Sequence, residues 1–371
     1  MRKPIPILFT IPNFITAGSG RAMLNIIERL DLEVFSPAVC VMRKGGRLDK
    51  EVERLGIPFI EAPFVLAPRP YSDLLVRVWK AAEAFRPFKF CLWHSFHYGS
   101  DFTEPLIARM AGAKAWVYTK KNMSWGNKAW YLRSLLANRI AIQNTTMLEK
   151  FFHAMRGKVH YIPPGVDTQL FRPGPANLEI RSGWGFPPDS CIVVHVGHFV
   201  RVKNQQFLLH VLAQTSQNLC LVFAGDFLDK DYVSEIITLV TQLGLRDRVR
   251  LLGKVDDIPN LLRSADIFAF CSQQEGCPVA VLEAMASGLP CVVTDIPAMK
   301  DIHVNGETGF VVPSEDIQTF AQMLEKLAQD ESLRVRLGNA AREWIQRLFT
   351  IEREVQAYQK LYLDLVSGAF V

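Results

Sequence analysis

Missing from this 371-residue sequence is any apolar run near the ~20 residues that a membrane-crossing helix requires; its longest apolar stretches have strand length. Low-complexity tracts and short repeats are missing too, so the 23 glycines and 21 prolines act as local punctuation and not as a fibrous or disordered composition. The seven cysteines (Cys40, Cys91, Cys191, Cys220, Cys271, Cys277 and Cys291) are odd in number and form no CxxC pair. Most lie in apolar runs such as Ala38–Met42 and Pro290–Val293, which argues against a disulfide frame or zinc site and for reduced core thiols in the cytoplasm. At the start, Arg2 and Lys3 before Ile5–Ala17 resemble a signal peptide. Pro4, Pro6 and Pro12 suit a helical signal core poorly, however, and a buried first strand over Ile5–Ile11 is the better reading.

What is present is globular: 49% hydrophobic and 21% charged residues, at a length that suggests two domains of ~100–200 residues. The net charge of +5 conceals a division. Residues 1–165 carry 24 Lys and Arg against 12 Asp and Glu, whereas residues 166–371 carry 18 against 25. A basic half points to nucleic acid, an anionic membrane or a phosphorylated ligand. Strand-length runs alternate with helical patterns: Ile5–Ile11 and Gly20–Leu30, Ala38–Met42 and Leu48–Leu55, Phe90–His94 and Asp101–Ala111, then Ala115–Thr119. The segment Tyr161–Pro175, dense in proline and glycine, breaks the pattern. Alternation restarts at Cys191–Gly197, continues to Pro290–Thr294, and ends in a helical tail over Ile317–Leu365. The reading is α/β: a first domain over 1–165, a linker over 166–175, a second domain over 176–350, and a C-terminal helix over 351–371 expected to pack back on the first. Doubly wound parallel sheets bind ligands beyond the carboxyl ends of their strands, which makes the cleft between domains the default site.

The most informative stretch is Glu275–Asp295, EGCPVAVLEAMASGLPCVVTD. Pro278 suits the first turn of a helix and Gly288 its end. Within that helix only Glu283 is charged, so it should lie buried and must have a partner, either a protein group or a ligand's hydroxyl pair. Glu275 precedes the same helix, and the backbone N–H groups of Gly276, Cys277 and the first turn can bind an anion. Two carboxylates eight residues apart around such a helix start fit a sugar nucleotide. Upstream, GHFVRVKN (Gly197–Asn204) runs from strand to helix, and Lys203, with Arg201, can meet a diphosphate. AGSGRAMLN (Ala17–Asn25) sets Gly18 and Gly20 between the first strand and helix, where a backbone can approach a phosphate or acceptor; Met23 in the third glycine position argues against a nicotinamide fingerprint. His94 and His97 close the strand at Phe90 with no spaced acidic ligand, so no metal site is expected. Asp229-Lys230-Asp231 reads as helix capping.

These motifs, together with VFAGDF, VRLLGKVDDIPNLLRSADIFAF and NGETGFVVP, resemble the retaining glycosyltransferases of family four (glycosyl transferases group one), of the bacterial polysaccharide and lipid-glycan type. The pattern of that family is Glu, seven residues, Glu, then Ala-Met-Ala-x-Gly-x-Pro, and the likeness covers nearly the whole chain. It implies the GT-B fold, two doubly wound Rossmann-like domains, with metal-independent transfer and no cofactor. Glu275 is then expected on the donor sugar and Glu283 on the ribose. Lys203 and Arg201 belong with the diphosphate, and Gly18, Gly20, Gly197, His198, Lys254, Val255, Gly276, Cys277 and Pro278 surround the donor, a UDP-sugar in preference to a GDP-sugar. His198 stands where the family usually has arginine, Gly20 where glutamate is frequent, and Lys121 where a histidine often follows the strand Ala115–Thr119. His94, His97 and Lys121 are expected on the acceptor side. Rival readings are a non-catalytic GT-B scaffold and a sugar-nucleotide epimerase; a scaffold would need neither Glu275 nor Glu283.

Two stretches bear on a membrane. Pro68–Phe90 mixes Arg69, Arg77, Lys80, Arg86 and Lys89 with Trp79, Phe85 and Phe88, and Lys120–Arg139 sets five basic residues among Trp125, Trp130, Tyr131, Leu132, Leu135 and Leu136. Both suit an anionic bilayer surface; equally, the apolar faces can pack on the sheet while lysines face water. No nucleic-acid motif accompanies the charge. The expected partners are a nucleotide-sugar donor, a glycan or lipid-linked acceptor and the inner face of a membrane.

Overall fold

The computed structural model describes residues 3–15, 17–124 and 127–368, so Arg2 and Trp125 named above fall outside it. Two units form, one of residues 1–164 with 351–371 and one of residues 165–350. In the first the order is β1 (Ile5–Thr10), α1 (Ala17–Ile27), β2 (Phe35–Val41), α2 (Asp49–Arg54), β3 (Phe59–Glu61), α3 (Leu74–Glu83), β4 (Leu92–Ser95), α4 (Thr103–Met110), β5 (Ala115–Lys120), α5 (Lys128–Leu136), β6 (Arg139–Ile142), α6 (Thr146–Phe151) and β7 (Val159–Tyr161). The sheet runs β3-β2-β1-β4-β5-β6-β7, all parallel. Its winding reverses between β1 and β4, and right-handed crossovers put α1 and α2 on one face and α3 to α6 on the other.

The second unit repeats the plan: α7 (Leu178–Gly183), β8 (Cys191–Val196), α8 (Gln205–Leu212), β9 (Leu219–Ala224), α9 (Lys230–Gln242), β10 (Val249–Leu251), α10 (Ile258–Arg263), β11 (Ile267–Phe270), α11 (Val279–Ala286), β12 (Cys291–Thr294), α12 (Met299–Ile302), β13 (Gly309–Val312), α13 (Ile317–Gln329) and α14 (Glu331–Leu348). Its sheet is β10-β9-β8-β11-β12-β13, again parallel, with the reversal between β8 and β11. Strands such as LCLVFA and IFAF are apolar throughout because helices cover both faces of a parallel sheet. Each large side chain buried there contributes ~1.5–3 kcal/mol. The last helix, α15 (Ile351–Ser367), returns to the first unit, where Val355, Tyr358, Leu361 and Tyr362 join the core that β1 and α1 build.

The segment 166–175, read from the sequence as a linker, is held against the second unit: Val166 donates its N–H to Phe349 O at 2.8 Å, and Phe171 is buried in the core beside α11 and α14. Strands β3, β6, β7 and β13 add to those that the sequence pattern predicts, β3, β7 and β13 as sheet edges. No helix among the described residues is long and apolar enough to cross a membrane.

Candidate functional site

The reversal point of the second sheet gathers most of the candidates. Leaving β8, the chain passes Gly197 against the end of β9, so tightly that a Cβ on Gly225 (φ 153°) would lie 2.1 Å from Gly197 O. It then makes a 3-10 turn at Arg201–Lys203, and Asn204 opens α8 in the left-handed conformation (φ 54°). The turn is pinned from β11: Gln273 donates its N–H to Val202 O at 2.9 Å, and Cys271 Sγ lies 3.2 Å from Lys203 O. Lys203 Nζ is thereby aimed at Glu275, donating to Oε1 at 2.6 Å, with the side chains only 19% and 18% exposed.

Glu275 lies between β11 and α11. Pro278 stands at the N-cap of α11, not inside its first turn, and no side chain caps the helix. The far end of α11 is clamped by α14: Gly288 (φ 79°) ends it, and a Cβ on Gly338 would sit 2.0 Å from Gly288 O. Val281, Leu282, Ala284, Met285 and Ala286 are buried, as the apolar sequence demands. The backbone O of Glu283 accepts from Ser287 N at 2.9 Å, but its carboxyl has no hydrogen bond or ion pair among the described residues. Burial alone pushes its carboxyl up to about 8. Of the two partners weighed for Glu283 from the sequence, the protein supplies none.

Neighbouring candidates take different places. Val255 packs against the same core as Cys277 and Ala280. Lys254 is half exposed and pairs with Asp256. His198 lies 3.7 Å from Asp226. Arg201, expected on the diphosphate, turns its exposed guanidinium to both carboxylate oxygens of Glu235 on α9 and lies 3.8 Å from Asp229. Asp229 caps α9, its side chain accepting from Tyr232 N at 3.0 Å. The sequence reading missed His195 on β8. Its Nδ1 donates to Ala269 O at 3.0 Å, leaving Nε2 buried beneath Gly197 without a partner among the described residues, and burial pushes the imidazole down to about 4.

In the first unit the candidates scatter. Gly18 and Gly20 lie inside α1 and not in a loop ahead of it, and a Cβ on Gly20 would meet the Phe14 ring at 2.6 Å, so that glycine serves packing. His94 is a core residue and faces no acceptor. Its Nδ1 lies 2.6 Å from the Tyr362 hydroxyl and its Nε2 2.9 Å from Thr119 Oγ1, and burial holds its pKa well below the ordinary value. Lys121, at the carboxyl end of β5, donates to Ser19 O at 3.3 Å and lies over the Phe96 ring at 4.4 Å; burial pushes it down to about 7, against the pull of Glu354.

His97 does have acidic company, contrary to the sequence reading. Atoms of His97, Asp101 and Glu104 able to ligate a metal lie within 4.8 Å of one another. Fully buried Arg133 already pairs with both carboxylates of that cluster, with Nη2 3.2 Å from Glu104 and Nη1 3.7 Å from Asp101. Glu104 also accepts from Ser95 Oγ at 2.7 Å, Trp93 Nε1 at 3.1 Å and Thr10 Oγ1. The cluster is unreadable from spacing because Asp101 looks like an ordinary helix cap: it does accept from Thr103 N and Glu104 N.

The family model described as "Glycosyl transferases group 1" matches residues 177–344, the stretch that holds Gly197, Lys203, Glu275 and Glu283. The chain is 31% identical, over 87% of its own length and 87% of the relative's, to a Bacillus subtilis protein described as "Putative glycosyltransferase EpsF". It is 30% identical to an Escherichia coli UDP-Gal:alpha-D-GlcNAc-diphosphoundecaprenol alpha-1,3-galactosyltransferase, over 56% of this chain and 55% of that one. Among solved structures, Anabaena Alr3699/HepE in complex with UDP and glucose superposes with TM-score 0.81 at 20% identity, covering 97% of this chain and all of that one. A Rickettsia africae glycosyltransferase reaches 0.88 at 18% identity, covering 98% and 99%. The two parallel, doubly wound units are thus those of the GT-B fold, and the chain belongs to the group 1 glycosyltransferases.

Proposed function

We propose that this protein is a retaining, metal-independent hexosyltransferase of family four, moving a sugar from a nucleotide-diphosphate sugar to an acceptor hydroxyl in cell-surface glycan or glycolipid synthesis. The observation that carries the reading is Glu283: a carboxylate on a rigid, otherwise apolar helix, eight residues after Glu275 and with no partner among the described residues. A desolvated carboxylate is costly unless a ligand meets it, and ribose hydroxyls offer two donors in fixed geometry. The diphosphate then lies at the start of α11, where the first-turn N–H groups and Lys203 face it. Donor entry takes Lys203 from Glu275, freeing that carboxylate for sugar hydroxyls. As the sugar–phosphate bond breaks, Lys203 meets the growing charge on the departing diphosphate, and the leaving phosphate itself takes the acceptor's proton. UDP is the preferred nucleotide, a reading supported by the UDP bound in the HepE complex and the UDP-Gal donor of the Escherichia coli galactosyltransferase. The undecaprenol-linked acceptor in the latter name supports a lipid-linked acceptor here, reached by a protein working at the cytoplasmic face of a membrane.

The test is a thermal-shift screen with UDP, GDP, ADP and their sugars, followed by transfer to a lipid-linked acceptor with the product's anomer read by NMR. A ligand that binds the folded protein raises its melting temperature by mass action. Stabilisation by UDP-sugars and an α-product from an α-linked donor are expected. Absence of any nucleotide effect, or an inverted product, overturns the reading.

A further inference from the structure

The first unit presents its exposed apolar residues unevenly. On α3, Leu75, Val76 and Trp79 are 64%, 55% and 47% exposed, while Leu74, Val78, Ala81 and Ala82 of the same helix are buried. On α5 the same spacing recurs: Tyr131, Leu132 and Leu135 are 48%, 38% and 45% exposed, while Trp130, Arg133 and Ser134 are buried. Each helix therefore fills its sheet-facing side and still shows three large apolar residues at i, i+1 and i+4 outward. Both pack against α4, on the one helical layer that covers that face of the sheet.

The charge around these rows is mostly positive, with exposed Asp73, which pairs with Arg77, and exposed Glu83 as the acidic members on α3. Residues 68–139 hold twelve Lys and Arg against four Asp and Glu, and two of those four, Asp101 and Glu104, are buried with Arg133. Arg86 lies over the Trp79 ring at 4.8 Å and reaches Met110 O at the end of α4. Arg109 donates to Leu136 O and Lys158 to Leu135 O, which places cations at the carboxyl end of α5 beside its apolar row. Paired apolar rows with an aromatic on each, rimmed by cations, match the depth profile of a lipid interface: hydrocarbon below, anionic phosphate at the level of the cations. A protein partner of ordinary composition would have to present a matching acidic rim, whereas an anionic bilayer presents one everywhere.

We infer that the outer faces of α3 and α5 together form the surface by which this protein lies on an anionic membrane. This deepens the placement at a membrane given above and names the surface. It also predicts a parallel double-helix contact, not insertion, since neither helix is long enough to span.

The test is flotation of the full chain with phosphatidylcholine vesicles, with and without a third of phosphatidylglycerol, at low and high salt. The wild type is expected to float with anionic vesicles only, and less at high salt. Leu75→Glu with Leu132→Glu removes one exposed residue from each row without touching the core, and should lower partitioning more than tenfold. Leu363→Glu, equally exposed but on α15 in the other helical layer, should leave it unchanged. Nucleotide-induced stabilisation, measured alongside, separates the two readings: lost nucleotide binding with intact flotation breaks the transferase assignment alone. Failure of the wild type to float at low salt, an unaffected double variant, or an equal loss in Leu363→Glu overturns the surface. A wild type that sediments as a dimer split by the double variant also overturns it, assigning these rows to a second copy.

Discussion

Glu104 in the first unit and Glu283 in the second are both carboxylates on helices that follow central strands, and both are pushed up by burial. Glu104 is met by Arg133, Ser95, Thr10 and Trp93, and Arg133 in turn by Asp101 and the Trp116 and Tyr118 rings. The carboxyl of Glu283 is met by nothing among the described residues, and Glu275 accepts only from Lys203. One network is closed and the other open. A buried charge whose partners are all protein groups holds a fold together, whereas a partly buried carboxyl that keeps its proton to about pH 8 and meets no protein group is open to a ligand.

The comparison is broken most forcefully at Arg133. Arg133→Met should leave Glu104 buried without its counter-ion and cost ~3–5 kcal/mol of stability in chemical denaturation. A loss below ~1 kcal/mol would mean the network is not structural. In the open site, Lys203→Ala should leave the melting transition near its wild-type place yet lower turnover by about a hundredfold or more, since a charge-assisted contact to developing phosphate charge supplies a few kcal/mol. Near-normal turnover at saturating donor would remove Lys203 from the chemistry.

Glu283→Gln should weaken nucleotide binding by roughly 1–3 kcal/mol in calorimetric titration, while the unliganded protein melts no earlier than wild type. The pH dependence supports this with a definite sign. Because the folded carboxyl sits at about 8, above its ordinary 4.5, the folded protein holds this proton where the unfolded chain has lost it, so the group's contribution to stability falls as pH rises from about 4.5 to about 8. Glu283→Gln should flatten that slope, and an unchanged slope would show the carboxyl to be well solvated. The smallest effect is expected at Arg201, whose exposed pairing with Glu235 is screened by water: Arg201→Ala should leave melting and turnover near wild type. A large loss of turnover there would return it to the diphosphate.

Much of this was legible before any coordinates. The strands around GHFVRVKN and EGCPVAVLEAMASGLP announce themselves because residues buried on both faces must be apolar along their whole length, and Pro278 and Gly288 mark where α11 starts and stops. Strands β3, β6, β7 and β13 were not legible: β3, β7 and β13 are sheet edges, and pairing with the neighbouring strand decides them. His94 shows the limit for sites: a histidine at a strand end reads alike whether it faces a ligand or, as here, the hydroxyls of Thr119 and Tyr362, the latter 268 residues away.

What the sequence by itself determined is local: two doubly wound halves, opposite net charge, and a helix that is apolar apart from a single carboxylate. Those follow from periodicity, composition and the cost of burying charge, each a property of neighbouring residues. Which partner each charged group meets was decided only by the tertiary structure. Arg201 turns to Glu235 on α9, Lys203 two residues on turns to Glu275, and Arg133 closes on Glu104. Side-chain direction depends on the elements packed around it, and the sheet brings together strands whose separation along the chain carries no trace of their adjacency.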